Sequence, residues 1–274
     1  MDFNTKLQNL MQANNSLLCI GLDPDPDKLP TTLGGSADPL FDFNQAIVDA
    51  TADLVCAYKP NSAFYEALGS AGVQSLKNTV DYIKHKYPNI PIILDFKRGD
   101  IGNTNNKYAQ FAYEFLGVDA VTIQPYQGQE AVQSYLDYKD KGVFVLCRTS
   151  NPGAGEFQDL EVGDSKLYEV VAKNIANSWN SYGNCGLVVG ATNPDELARV
   201  RAIVGDVMTI LVPGIGAQGG DLEATIKGGK NSTGAGMIIN SARDILYASP
   251  AEDFADAARH RAKLTVEDIN KYRS

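Results

Sequence analysis

Asp95, Lys97 and Asp100 fall close together in the segment IILDFKRGDIGNT. A lysine set between carboxylates can hold a proton and deliver it. Anionic neighbours favour the ammonium form, so Lys97 is expected to stay protonated at neutral pH. That suits a general acid, whereas a Schiff-base nucleophile needs a neutral amine. Lys59, in the run LVCAYKPN, is expected at the same level on an adjacent strand. Two lysines and two aspartates would then alternate in one network. The competing reading is an ion-pair network that does no more than close the mouth of a barrel.

Charges so near a core are costly unless they are paired, so the elements that carry them matter. Eight short apolar runs read as strands, at 17–23, 54–61, 90–97, 119–126, 142–149, 185–191, 208–214 and 237–243. They are apolar on both faces, as in a parallel sheet covered on each side. Helix-like stretches separate them: 69–86, NKYAQFAYEFLG capped by Gly117, LYEVVAKNIANSW, PDELARVRAIVG and DLEATIKGG. This alternation predicts an α/β fold, a (βα)8 TIM barrel forming one domain over 1–274, ahead of a doubly wound open sheet. In such a barrel, functional side chains gather at the C-terminal ends of strands. The polar residues that interrupt or follow the apolar runs fit that rule: Asp23, Lys59, Asp95 with Lys97, Ser150, Pro213 with Gln218, and Arg243. Strand alternation places Asp95 and Lys97 on the same side, and Gly99 lets the chain turn before Asp100.

Composition narrows the partners. The chain has 274 residues and a net charge of −9, which offers no basic footprint for nucleic acid. An acidic protein can still bind a phosphorylated metabolite through one local pocket. No apolar run reaches the length of a membrane span, and MDFNTKLQNLMQANN lacks the apolar core of a signal peptide. Four cysteines (Cys19, Cys56, Cys147, Cys185) sit in apolar runs without a CxxC pair. They are expected to be buried free thiols in a reducing, cytoplasmic setting. The only histidines, His85 and His260, lie in polar helix sequence. Histidine acid–base chemistry and histidine metal sites are therefore not expected.

Asp95-Phe-Lys97-Arg98-Gly99-Asp100-Ile101 fits the pattern D-x-K-x-x-D-[IV] and resembles the orotidine 5′-phosphate decarboxylase group. That element is shared by a wider suprafamily, which includes a keto-gulonate phosphate decarboxylase and a hexulose-phosphate synthase. GLDPDP (21–26), AYKPN (57–61), RTSNPG (148–153), VPGIGAQGGD (212–221) and NSARDILYA (240–248) are similar to the longer, bacterial type of the orotidine enzyme. NSARD departs from it mildly, where a second Ser before the Arg is usual. The resemblance implies a cofactor-free, metal-free carboxy-lyase of pyrimidine nucleotide synthesis. Lys97 would donate the proton to C6 as carbon dioxide leaves, with Asp95 beside the substrate carboxylate. Lys59 would bridge the aspartates and touch the ribose, and Asp23 would bind ribose hydroxyls. Asp100 and Thr104 would reach a partner subunit's site in a homodimer. Ser150 would meet the pyrimidine and Pro213 would line the pocket.

Gly214, Gly216 and Gly219 have G-x-G-x-x-G spacing, but the next strand ends in Asn240 and lacks the acidic residue of a dinucleotide fold. The better expectation is a glycine-rich lid at the phosphate end, where barrels often use the loops after strands 7 and 8. Arg243 is then the fixed cation, and Gln218 closes from the lid. Tyr108, Phe111, Tyr113 and Phe115 read as core or dimer contact, GEFQDLEVGD as a solvated loop, and TVEDINKYRS as a surface helix. The enzyme alternative is a sugar-phosphate aldolase or isomerase that uses a divalent metal. The non-enzymatic one is a nucleotide sensor with a decayed site.

Overall fold

A computed structural model describes residues 1–215 and 221–273. Eight strands carry the fold: β1 (Leu18–Leu22), β2 (Ala57–Pro60), β3 (Ile93–Arg98), β4 (Ala120–Ile123), β5 (Gly142–Arg148), β6 (Cys185–Val189), β7 (Ile210–Val212) and β8 (Met237–Ser241). All are parallel and run in the order 2-1-8-7-6-5-4-3. Backbone bridges Tyr58↔Ile92 and Asn61↔Asp95 join β2 to β3 and close the ring. The expected barrel is therefore present. β1, β2, β4, β5, β6, β7 and β8 are buried along their whole length. Only β3 surfaces, at its Lys97 end. An all-buried strand needs no alternation in its sequence, which is why the apolar runs show no period of two.

The helices between strands start where short polar side chains can cap them. Asp38 accepts from the Phe41 amide, and Asp221 from the Ala224 amide. Helix 69–86 (Gly69–Lys86) begins and ends as the sequence predicts. Gly117 ends the helix before β4 with a φ of 78°, a left-handed value that favours glycine. The final helix, Phe254–Arg273, is more than a surface helix. Phe254, Ala258, Ala262, Thr265 and Ile269 form a buried stripe at helical spacing. The polar text of TVEDINKYRS hides that stripe because only two of its residues belong to it. All four cysteines are free and buried, and both histidines are exposed. Among the described residues, no helix is long and apolar enough to cross a membrane.

The N-terminal end of the barrel is sealed. Phe3 packs edge-on against Phe144, with ring centroids 5.7 Å apart. Nearby, Arg201 is buried and donates to four backbone carbonyls: Gly229, Gly205, Met208 and Gly236. Burial pulls its guanidinium down to about 10, still charged at neutral pH. Arg201→Met should lower stability by roughly 3 kcal/mol, because those carbonyls lose their shared donor. Urea denaturation would measure the loss. Turnover at a permissive temperature should be unchanged, since the site lies at the other end.

Candidate active site

The strands' C-terminal ends surround a cavity of about 730 Å³. Asp23, Lys59, Asp95, Lys97, Ser150, Pro213 and Arg243 all line it, so seven of the ten expected site residues converge there. Asp100 and Thr104 do not line it. Gln218, with Gly216 and Gly219 of the expected lid, lies outside the described residues.

Asp95 is the hub. One carboxylate oxygen accepts from Lys59 Nζ at 2.8 Å. The other accepts from Lys97 Nζ at 2.6 Å and Thr122 Oγ1 at 2.8 Å. Lys59 is buried, while the Lys97 side chain is 45% exposed and reaches into the cavity. The two lysines thus have different freedom although they share one counter-ion. Burial alone would raise the Asp95 carboxyl, but the charges of Lys59 and then Lys97 hold it far below the usual carboxylate range. Burial likewise opposes the Lys59 charge, and Asp95 and then Asp23 more than compensate, so Lys59 stays firmly protonated. Asp23 is shifted the other way. Burial raises its carboxyl despite the pull of Lys59. One of its oxygens accepts from the Asn61 amide at 3.2 Å.

Lys97 reaches Asp95 by a different route from the one expected. Simple alternation fails here, because four steps along β3 (Leu94 to Arg98) match two along β4 (Val121 to Ile123). Within that bulge Lys97 adopts a φ of 45°, in the left-handed region. Such a backbone costs a non-glycine residue on the order of 1–3 kcal/mol. Thr122, opposite the bulge, accepts from the Lys97 amide at 3.1 Å while its hydroxyl donates to Asp95. It therefore fixes both members of the pair. Its β-forming context, AVTI, concealed that role.

Gly99 acts by close approach. A Cβ there would lie 2.7 Å from the Gln124 Cβ. Beyond it, buried Asn105 pins the turn: it accepts from the Asp100 amide and donates to the Asp100 carbonyl. The chain then leads away from its own cavity, leaving Thr104 exposed and Ile101 58% exposed.

The remaining wall holds residues that the sequence reading missed. The Tyr247 hydroxyl accepts from the Asp25 amide at 2.8 Å and donates to the Asp23 carbonyl at 3.1 Å. It ties the loop after β1 to the segment after β8. Lys28, paired with Asp25 at 2.7 Å, adds a second cation to the wall that holds Arg243. Asn240 is buried at the cavity floor, and its Oδ1 has no partner among the described residues. Ser150 and Arg243 present side chains with no partner among the described residues, free to meet a ligand. GEFQDLEVGD is not simply solvated: it forms a short helix (Gly155–Gln158) and half of a two-stranded hairpin, and Gln158 lines the cavity. Of the four aromatics after β3, Tyr113 is core, with its hydroxyl on the Gly142 carbonyl, while Phe115 is half exposed. Among the described residues, no group of three or more His, Cys, Asp or Glu side chains is placed to hold a metal ion.

Comparison with known proteins agrees with this geometry. Residues 16–258 match the family described as "Orotidine 5'-phosphate decarboxylase / HUMPS family". The chain is 54% identical over 273 residues to an orotidine 5′-phosphate decarboxylase of Azoarcus sp. (strain BH72), covering 100% of both chains. It is 55% identical to the Dechloromonas aromatica protein of the same name, again over 273 residues and 100% of both. Among solved structures, the Leishmania donovani OMP decarboxylase superposes with a TM-score of 0.88 at 39% identity, over 100% of this chain and 99% of that one. The barrel, the Asp–Lys hub at its mouth and these full-length likenesses agree, and the chain belongs to the orotidine 5′-phosphate decarboxylase / HUMPS family.

Proposed function

We propose that the protein decarboxylates orotidine 5′-phosphate to uridine 5′-monophosphate, the last step of de novo UMP synthesis, with Lys97 as proton donor. The observation that carries this reading is the asymmetric lysine pair. Lys59 is buried against Asp95, while Lys97, on the same carboxylate, is exposed to the cavity. In the reaction the bond from C6 to the carboxyl carbon breaks and carbon dioxide leaves. The electron pair stays on C6 and takes the proton of the Lys97 ammonium; solvent then reprotonates the amine. Asp95 sits beside the substrate carboxylate and keeps the Lys97 ammonium aimed. The charges are fixed before substrate arrives, so little reorganisation is needed as the carbanion develops. Asp23 and Lys59 hold the ribose, Ser150 meets the pyrimidine, Pro213 lines the pocket, and Arg243 and Gln218 take the phosphate. The reaction calls on no cofactor or metal. Residues 1–274 act as one domain in a reducing, cytoplasmic setting, in keeping with the four free thiols.

The test is the fall in pyrimidine absorbance when orotidine 5′-phosphate is added to purified protein with chelator present. Absence of turnover would overturn the proposal.

The working unit is a homodimer with shared sites. Support comes from Asp100 and Thr104, which stand outside their own cavity on a segment that presents Ile101 to solvent. Asp100→Ala and Lys97→Ala should each be inactive alone. Mixed under conditions of subunit exchange, they should regain about a quarter of the wild-type rate, because half of the dimers are hybrid and each holds one intact site. No recovery despite demonstrated exchange would show that Asp100 serves its own subunit.

A further inference from the structure

The corner that carries Ser150 is built by a residue from elsewhere in the loop. Gln158 grips Thr149 at two points. Its Oε1 accepts from the Thr149 amide at 2.8 Å, and its Nε2 donates to Thr149 Oγ1 at 2.9 Å. The Thr149 hydroxyl itself donates to Asn151 Oδ1 at 2.7 Å. The Thr149 carbonyl accepts from Arg148 NH1 at 3.0 Å. Amide, carbonyl and side chain of Thr149 are therefore all committed.

Ser150 follows directly and rests on bare backbone. A Cβ at Gly190 would lie 2.7 Å from the Ser150 Cβ and 2.9 Å from its amide nitrogen. Its hydroxyl lines the cavity with no partner among the described residues. Gln158 is itself anchored through its neighbour, since Asp159 pairs with the buried Arg148 at 3.1 Å. A side chain that makes two directed bonds to one residue fixes direction as well as distance.

We propose that Gln158 is a positioning residue for pyrimidine recognition, templating the Thr149–Ser150 corner so that the Ser150 hydroxyl meets the base. A hydroxyl both donates and accepts, so its heading decides whether it reads a ring N–H or a ring carbonyl. This inference rests on the proposed reaction and adds to it a residue that need not touch substrate.

Two ligands separate a local effect on the base from a general one. Uridine 5′-monophosphate carries base, ribose and phosphate; ribose 5-phosphate lacks the base. Gln158→Leu, which keeps bulk and removes both bonds, should weaken uridine 5′-monophosphate about ten- to a hundredfold. It should leave ribose 5-phosphate binding unchanged, which also shows that the cavity is folded. Gln158→Glu keeps the acceptor for the Thr149 amide and loses the donor to its hydroxyl, so it should restore part of the lost affinity. Equal losses for both ligands, or no loss for either, would overturn the assignment. So would a Gln158→Glu variant that binds no tighter than Gln158→Leu, since the bond to the Thr149 amide would then not hold the corner. Wild-type turnover of orotidine 5′-phosphate is the separate control: its absence sinks the reaction and leaves the binding comparison readable.

Discussion

Lys97→Ala is expected to lower kcat/KM for orotidine 5′-phosphate by about 10²–10⁴-fold, the usual contribution of a positioned general acid. The loss should fall mainly on kcat, because the proton is delivered after carbon dioxide begins to leave. The fold should survive. The Lys97 side chain is 45% exposed, and Asp95 retains Lys59 and Thr122 as donors. A melting temperature near that of wild type, measured beside the kinetics, separates lost chemistry from lost structure. Near-full activity in this variant would remove Lys97 as the proton donor.

Asp95→Asn should damage both stability and activity. The carboxylate receives donors on both oxygens. An amide offers one acceptor, and its NH₂ must then face a donor. If the NH₂ meets Lys59, a buried ammonium loses its closest counter-ion. Breaking a buried pair in this way costs about 3–5 kcal/mol. Activity should fall as far as in Lys97→Ala, because nothing aims the ammonium. The pH dependence gives an independent check. The folded-state carboxyl is held below its unfolded value, so ionised Asp95 stabilises the fold fully above the unfolded pKa of about 3.9. That stabilisation drains away as pH falls toward the folded value. The stability gap between wild type and Asp95→Asn should be constant near neutrality and shrink in acid. A gap that does not change down to strongly acidic pH would show that the Asp95 charge is not what stabilises the fold.

Much of this was legible in the sequence because a barrel makes strong demands on it. Strands buried on both faces must be apolar throughout, so Asp23, Lys59 and Asp95 stand out against the runs that carry them. What escaped depends on how one strand sits against another. Thr122 looks like any β-forming threonine until register places it opposite the bulge in β3. Alternation puts Lys97 on the right side for the wrong reason: it holds only in a regular strand, and a bulge is a property of two strands. Gln158 sits in a loop that reads as solvated, because the hydroxyl and amide it serves are nine residues away. Only the resemblance separates Asp100 and Thr104 from the other site residues; nothing in their local sequence marks them as leaving their own cavity.

The left-handed backbone of Lys97 bears on how this protein can be improved. The conformation is one that glycine takes without cost, so a search guided by stability alone would favour glycine there. It would relieve the strain and remove the Lys97 ammonium from the cavity. Under the proposed reaction, position 97 is where selection for robustness and selection for turnover pull in opposite directions. Thermostabilising libraries built on this barrel should hold it fixed, and Thr122 with it.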